Sequence, residues 1–239
     1  MAAIRSLLTY VLTSLYVLIV GTFALLVVVP LGLKDVLYRL GHAGVALALG
    51  TAGIRYRLVG RDHLPTDRAV VFCANHQSNV DPPVLFQALH RRLHILYKAE
   101  LDKVPVLGRV FQAGEFVAVE RENRDAAFAS IERAAASIRG GNSFLIFPEG
   151  TRSRSEELLP FKKGGFVMAL RAGAPIVPVA IMGGRAAMRK GSAIVRPVHV
   201  TVRVGAPVET AGLDVEQRDW LIQEVRGRIE ALLKLGPAF

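Results

Sequence analysis

The sequence predicts an α/β fold, a largely parallel or mixed sheet flanked by helices, with a hydrophobic helical segment at its N-terminus. Three observations carry this. No charged residue occurs from Ser6 to Leu33. Beyond Arg55 the composition becomes that of an ordinary globular protein. Within that part, short β-branched and apolar runs alternate with amphipathic stretches bounded by glycine and proline, the pattern of strands alternating with helices.

The first element is the run SLLTYVLTSLYVLIVGTFALLVVVPLGL, 28 residues. As one helix it would be about 42 Å long at 1.5 Å per residue, more than the ~30 Å hydrocarbon core of a bilayer. It is too long for a secretory signal, and Arg5 alone marks a basic end. A buried soluble helix would not stay apolar on every face for this length. Pro30 and Gly32 interrupt the run, and the weaker stretch GHAGVALALGTAGI follows between Arg39 and Arg55. Two helices sunk in one leaflet and one tilted span both fit. Lys34, Arg39, Arg55, Arg57 and Arg61 lie downstream against Arg5 upstream. The positive-inside rule therefore expects the globular part on the cytoplasmic face of a cell membrane. Residues 1–54 are expected as membrane-anchoring helices and 55–239 as one domain.

In that domain, Ile54–Gly60 alternates as a strand and Arg68–Ala74 reads as a buried one. DPPVLFQALH starts a helix, with Asp81 as N-cap and Pro82 at the first helical position. LHILYKA is a strand, ELDKVPVLGRVF a short interrupted helix, and EFVAVER a further strand. NRDAAFASIERAAASIRGG is the clearest helix. Asn123 is its expected cap, Phe128, Ile131 and Ile138 share a face, and Gly140–Gly141 stop it. NSFLIFPEG is a strand entering a turn, and GGFVMALRAG is a helix closed by Gly173. APIVPVAIM and VHVTVRVG are strands, and VEQRDWLIQEVRGRIEALLKLG is an amphipathic helix.

The formal net charge is +10. That balance suits nucleic acid, an anionic membrane or an anionic small molecule. No zinc-finger spacing, RNP-like motif or long basic tract occurs, and aromatics are 7% of the chain, so membrane and phosphate affinity is the reading and nucleic acid is not expected. Cys73 is the single cysteine, which excludes an intramolecular disulfide and a multi-cysteine zinc site. It lies inside a strand, where cysteine acts as a small hydrophobe. His90 and His94 have helical i,i+4 spacing but no nearby carboxylate ligand, and no metal site is expected.

In open α/β sheets chemistry collects outside the carboxyl ends of strands, and four polar clusters fall there. In NHQSNVD, His76 follows a strand and Asp81 begins a helix. A carboxylate on one ring nitrogen would fix the tautomer and leave the other nitrogen to take a proton; a polar turn explains the same residues. FPEGTRSRS offers backbone N–H groups, hydroxyls and guanidinium forks, the parts of a phosphate site, or a solvated surface turn. It lacks P-loop spacing. Lys98 and Arg121 each end a strand. FKKGGF leads into GAPIVPVAI.

The four clusters together resemble the phospholipid-synthesising acyltransferase family, best known for 1-acyl-sn-glycerol-3-phosphate acyltransferases. NHQSNVD is similar to the family's His-x4-Asp block, KAEL…VER to its second, FPEGTRS to its third and APIVPVAI to its fourth. The likeness runs from about Arg68 to Ile181, and VTVRVGAPV resembles a late strand. Where the second block often ends Ile-Asp-Arg, this chain has Val119-Glu120-Arg121. The resemblance implies a glycerolphosphate-acyltransferase-like fold. It implies transfer of a fatty acyl group from acyl-CoA or acyl carrier protein to the sn-2 hydroxyl of lysophosphatidic acid, giving phosphatidic acid, with the thioester as co-substrate and no other cofactor.

His76 would be the general base and Asp81 its orienter. Arg121, Gly150, Thr151 and Arg152 would bind the acceptor phosphate, with Lys98 beside them, and Glu149 would serve binding or structure. Absence of a G-x-S-x-G elbow favours direct transfer without an acyl-enzyme. Partners would be lysophosphatidic acid, the acyl donor and membrane lipids. Another lysophospholipid or an ornithine-type lipid as acceptor, and a non-catalytic anionic-lipid binder, are the alternatives.

Overall fold

The computed structural model describes residues 1–89, 92–120 and 124–239. Helix α1 (Ala2–Tyr16) continues through two π-turns as one apolar helix, Ala2–Val28. The chain reverses at residues 29–33 and returns as α2 (Lys34–Ala52), which packs on α1. The Tyr16 hydroxyl donates to the Leu40 carbonyl at 2.9 Å across this hairpin. Gly53 closes α2 with φ +72°, a left-handed position open to glycine without a Cβ clash.

Both ends of the long apolar helix are fastened to the domain. Near its start, the Val195 N–H donates to Ser6 Oγ at 2.8 Å and the Tyr10 hydroxyl donates to the Ala193 carbonyl at 2.7 Å. At its far end, Ala24 and Val28 are buried with Leu37 against Val110 and Ala113. Its outer face, by contrast, leaves Leu7, Leu18, Ile19, Phe23 and Leu26 exposed.

The domain then runs β1 (Ile54–Val59), β2 (Val71–Ala74), α3 (Asp81–Ala88), β3 (Leu93–Lys98), α4 (Leu107–Ala113), β4 (Val117–Val119), α5 (Arg124–Arg139), β5 (Ser143–Ile146), α6 (Gly164–Ala172), β6 (Ile176–Met182), α7 (Gly184–Ala187), β7 (Val198–Val204) and α8 (Arg218–Lys234). The strands form one sheet in the order β1-β7-β6-β2-β5-β3-β4. From β6 to β4 every pairing is parallel. β7 runs antiparallel to β6, and β1 lies parallel to β7 at the edge. The sheet is therefore mixed, and the carboxyl ends of β2, β3, β4, β5 and β6 share one rim.

Strand alternation builds a core on each face. Phe72, Ala74, Leu145, Val177 and Val179 face α2 and α3. Val71, Cys73, Phe144, Ile146 and Ile176 face α5, α6 and α8. The central strands are apolar on both faces, as a parallel sheet covered by helices on each side requires. Fully buried Phe72, Phe144, Phe166 and Leu145 contribute about 1.5–3 kcal/mol each.

Helix α5 differs from the face read in its sequence. Ala134, Ala135 and Ile138 are buried and Ile131 partly so. Phe128 is half exposed, with the Arg171 guanidinium 4.7 Å from its ring centroid. The small side chains let α5 approach α6 closely: a Cβ on Gly164 would lie 3.1 Å from Ile131 Cδ1. Asn123, the expected cap, lies outside the described residues.

Candidate active site

The rim of the sheet places His76 just beyond β2. Asn75 fixes the strand end, its side chain exchanging two hydrogen bonds with the Ile181 backbone at 2.8 and 3.0 Å. His76 Nδ1 then faces Asp81 Oδ2 at 3.0 Å. A buried carboxylate on Nδ1 makes that nitrogen the donor and leaves Nε2 as the proton acceptor. The ring stacks on Phe147, centroids 4.1 Å apart, so its plane is held from below.

Asp81 is fully buried and does not act as the expected N-cap. It is the first residue of α3, after Val80 at the cap position, and Pro82 follows it. The reason is that its Oδ2 is already occupied. Besides His76 it accepts from the Gln77 and Ser78 N–H groups, both at 2.7 Å. The carboxylate bonds backwards into the loop that carries the base, not forwards into its own helix. Oδ1 is buried without a hydrogen-bond partner among the described residues. It sits against Gly184, where a Cβ would lie 2.1 Å from it. No sequence signal distinguished Gly184 from the other glycines.

Glu149, beyond β5, ties this loop to its neighbours. Its Oε1 accepts the His76 N–H at 2.8 Å and its Oε2 accepts the Leu159 N–H at 3.0 Å. Burial raises its pKa above the ordinary carboxylate range, opposed by those two bonds. Ser153 N–H closes the ring of contacts by donating to the His76 carbonyl at 2.8 Å.

Gly150 turns with φ +66°, and Lys162 lies so close that a Cβ would meet its Cε at 2.8 Å. Thr151 is exposed and Arg152 partly so. Lys190, which the sequence reading passed over, donates to Thr151 Oγ1 and to the Arg152 carbonyl, each at 3.0 Å. A lysine donating to Thr151 leaves the hydroxyl proton free to point at another acceptor.

His76, Asp81 and Glu149 thus form one bonded group, with Gly150–Arg152 on the adjoining loop. Lys98 ends β3 on the same rim. It is exposed and paired with Glu100 at 2.7 Å. Arg121 lies outside the described residues. Cys73 is wholly buried, and burial pushes its thiol pKa up. Ser78 is also buried, donating to the Met188 carbonyl at 2.8 Å. Neither is available as a nucleophile. His94 belongs to β3, buried and stacked on Phe144, and His90 lies outside the described residues.

A large apolar cavity of about 420 Å³ opens between the N-terminal hairpin and the domain. Tyr16, Val20, Gly41, Val45, Phe86 and Phe116 are among the residues that line it, and Pro82 and Pro83 bring its wall next to Asp81.

A mixed α/β sheet with an oriented imidazole and a cationic loop on its parallel rim defines an acyltransferase-type domain. Residues 55–182 match the model of the Acyltransferase family, and the chain belongs to that family. It is 34% identical over 180 residues to a 1-acyl-sn-glycerol-3-phosphate acyltransferase of Limnanthes douglasii, covering 75% of this chain and 63% of the relative. A protein of the same name from Cocos nucifera is 32% identical over 80% of this chain and 60% of its own length. The chain thus spans about three-fifths of these plant relatives. The crystal structure of the 1-acyl-sn-glycerophosphate (LPA) acyltransferase PlsC from Thermotoga maritima superposes with a TM-score of 0.81 at 26% identity, covering 97% of this chain and 98% of that one.

Proposed function

We propose that the chain transfers a fatty acyl group from acyl-CoA or acyl carrier protein to the sn-2 hydroxyl of 1-acyl-glycerol-3-phosphate at a membrane surface. The observation that carries this reading is the 3.0 Å contact of His76 Nδ1 with buried Asp81 Oδ2. An alcohol is a weak nucleophile at neutral pH, and His76 Nε2 removes its proton as the oxygen attacks the thioester carbonyl. Asp81 stabilises the imidazolium that forms. Collapse of the tetrahedral intermediate breaks the C–S bond, and the imidazolium returns the proton to the departing sulfur. With Cys73 and Ser78 buried, the acyl group passes directly between substrates.

Thr151, Arg152 and the Gly150 turn receive the acceptor phosphate, joined by Arg121 and Lys98. Forked guanidiniums and hydroxyls suit that anion. Glu149, with both oxygens held by backbone N–H groups, positions His76 and does not meet substrate. The apolar cavity has the lining and, within the ~300–1,000 Å³ usual for ligand sites, the size to hold much of an alkyl chain. Lysophosphatidate enters from the membrane. The exposed face of residues 2–28 lies in the cytoplasmic leaflet, and because both ends of that helix are tied to the domain, the hairpin lies along one leaflet instead of crossing it.

Labelled acyl-CoA and acyl carrier protein, offered with a panel of lyso-acceptors to the detergent-solubilised protein, test this. Wild type should acylate lysophosphatidate, and His76→Ala should lose about 10²–10⁴-fold in kcat. Arg121→Ala should mainly raise the acceptor Michaelis constant. Transfer to no acceptor overturns the activity. Equal rates with His76→Ala overturn the base assignment, and preference for another lyso-lipid reassigns the acceptor.

A further inference from the structure

The loop after β6 carries two arginines that the acceptor site does not use. Arg185 and Arg189 are exposed, and neither has an ion-pair partner among the described residues. Together with Gln77, Gly183, Ala186 and Glu156 they line a cleft of about 220 Å³. Gln77 follows His76 directly, so the cleft opens beside the base.

The segment that carries the two arginines is joined to the site. Gly183 has φ +97°, and a Cβ there would lie 2.5 Å from the His199 carbonyl oxygen. Gly184 packs on Asp81, Ser78 holds Met188, and Lys190 is bonded to the Thr151 loop. The two guanidiniums therefore stand on a segment, α7 and the residues after it, that touches the site at Gly184, Met188 and Lys190.

This segment follows β6 while the acceptor cations follow β5, β3 and β4, and the two groups meet where Lys190 bonds Thr151 and Glu156 faces the cleft. β6 borders β2 on one flank, while β5, β3 and β4 follow on the opposite flank. An acceptor phosphate is only a short glycerol linkage from the attacked hydroxyl, so it must bind close to His76 on the Thr151 side. A second anion, held by arginines distinct from those cations, belongs to a molecule whose phosphate stands farther from its reacting carbonyl. The acyl donor is such a molecule: its pantetheine arm separates thioester from phosphate.

Resting on the activity proposed above, we propose that this cleft receives the phosphate of the donor's phosphopantetheine arm through Arg185 and Arg189. Two guanidiniums against the one Glu156 carboxylate leave the cleft net cationic. That carboxylate also suits the amide N–H groups of the arm, which a bare phosphate lacks.

The test compares Arg185→Gln/Arg189→Gln with wild type on acyl-CoA, acyl carrier protein and the phosphate-free thioester acyl-N-acetylcysteamine. The Michaelis constants for the first two donors should rise about tenfold or more, a loss of roughly one charge-assisted contact. Those for acyl-N-acetylcysteamine and for lysophosphatidate should not change. A rise in the lysophosphatidate constant, an equal rise with the phosphate-free thioester, or no change overturns the assignment. An effect confined to acyl-CoA moves the anion to the nucleotide end, and one confined to the carrier protein moves it to that protein's acidic surface. Either result overturns the arm site. Titration calorimetry with coenzyme A alone reads the cleft without turnover. If wild type transfers from no donor, the activity falls, and the cleft stands only if coenzyme A binds wild type and not the double variant.

Discussion

Asp81 Oδ2 collects three donors, His76 Nδ1 and the Gln77 and Ser78 N–H groups. His76 and Asp81, the base and orienter proposed above, are therefore one local unit whose geometry depends on what touches Asp81 from outside. Gly184 is that contact. Gly184→Ala would place a methyl 2.1 Å from Oδ1, displacing the carboxylate; misplacement by an ångström costs about a hundredfold in rate. Steady-state assays should show kcat falling by that order with the acceptor Michaelis constant little changed, and melting curves will separate this from unfolding.

His94 makes a second prediction at this scale. It is buried, its Nε2 lies 3.1 Å from the Tyr38 hydroxyl, and the hydroxyl donates onward to the Gly114 carbonyl at 2.9 Å. Burial lowers its pKa below the ordinary 6.5, against the raising influence of Glu115. The unfolded chain then binds the proton first, so stability is full above the unfolded value and is lost as pH falls toward the folded one. The melting temperature should drop between pH 7 and 5, and the drop should be shallower in His94→Gln. The His76 and Asp81 pair was legible in the sequence because spacing alone puts them on one loop. Gly184 and Lys190 were not, since their meaning comes from the crossing of β6 beside β2.

Helix boundaries and strand order of appearance were largely readable from glycine, proline and periodicity. Capping was less so. Asp81 looked like a cap by residue type, but the loop N–H groups compete for its oxygen and win by lying nearer. Phe128 looked like core by periodicity, but alanines bring α5 so close to α6 that the ring is left outside. The N-terminal run was plainly apolar and Pro30 and Gly32 marked its interruption, but the sequence left one span and two helices equally open, and the return at residues 29–33 into α2 selects two. Aspartates at Leu7, Leu18 and Leu26, which are 64%, 49% and 72% exposed, test the membrane face. Each removes about 1.5–3 kcal/mol of apolar burial, so vesicle sedimentation of the triple variant should fall by orders of magnitude. Unchanged sedimentation would count against a docked helix.

At the scale of the molecule, alternating elements predicted an α/β sheet but not its order. The sequence cannot reveal that β7 reverses against β6, because β-propensity carries no direction. That reversal brings β1 back beside the last strand. β1 has β7 as its ladder partner, paired from Ile54↔Val198 to Val59↔Arg203, so a chain ending before Val198 should leave β1 an open edge. Such a truncation should give a protein that aggregates through that edge, detected as loss of the monodisperse peak in size-exclusion chromatography.

The same pairing has a consequence in time. β1 directly follows the helical hairpin and is among the first parts of the domain to leave the ribosome, while its partner is nearly the last. The sheet closes across 144 residues, from Ile54 to Val198, a contact of high sequence separation that is slow to form. Until β7 appears, then, the helical hairpin can settle while the strand beside it waits. The last strand completes the sheet beside the first one, which makes arrival of β7 the event that closes it.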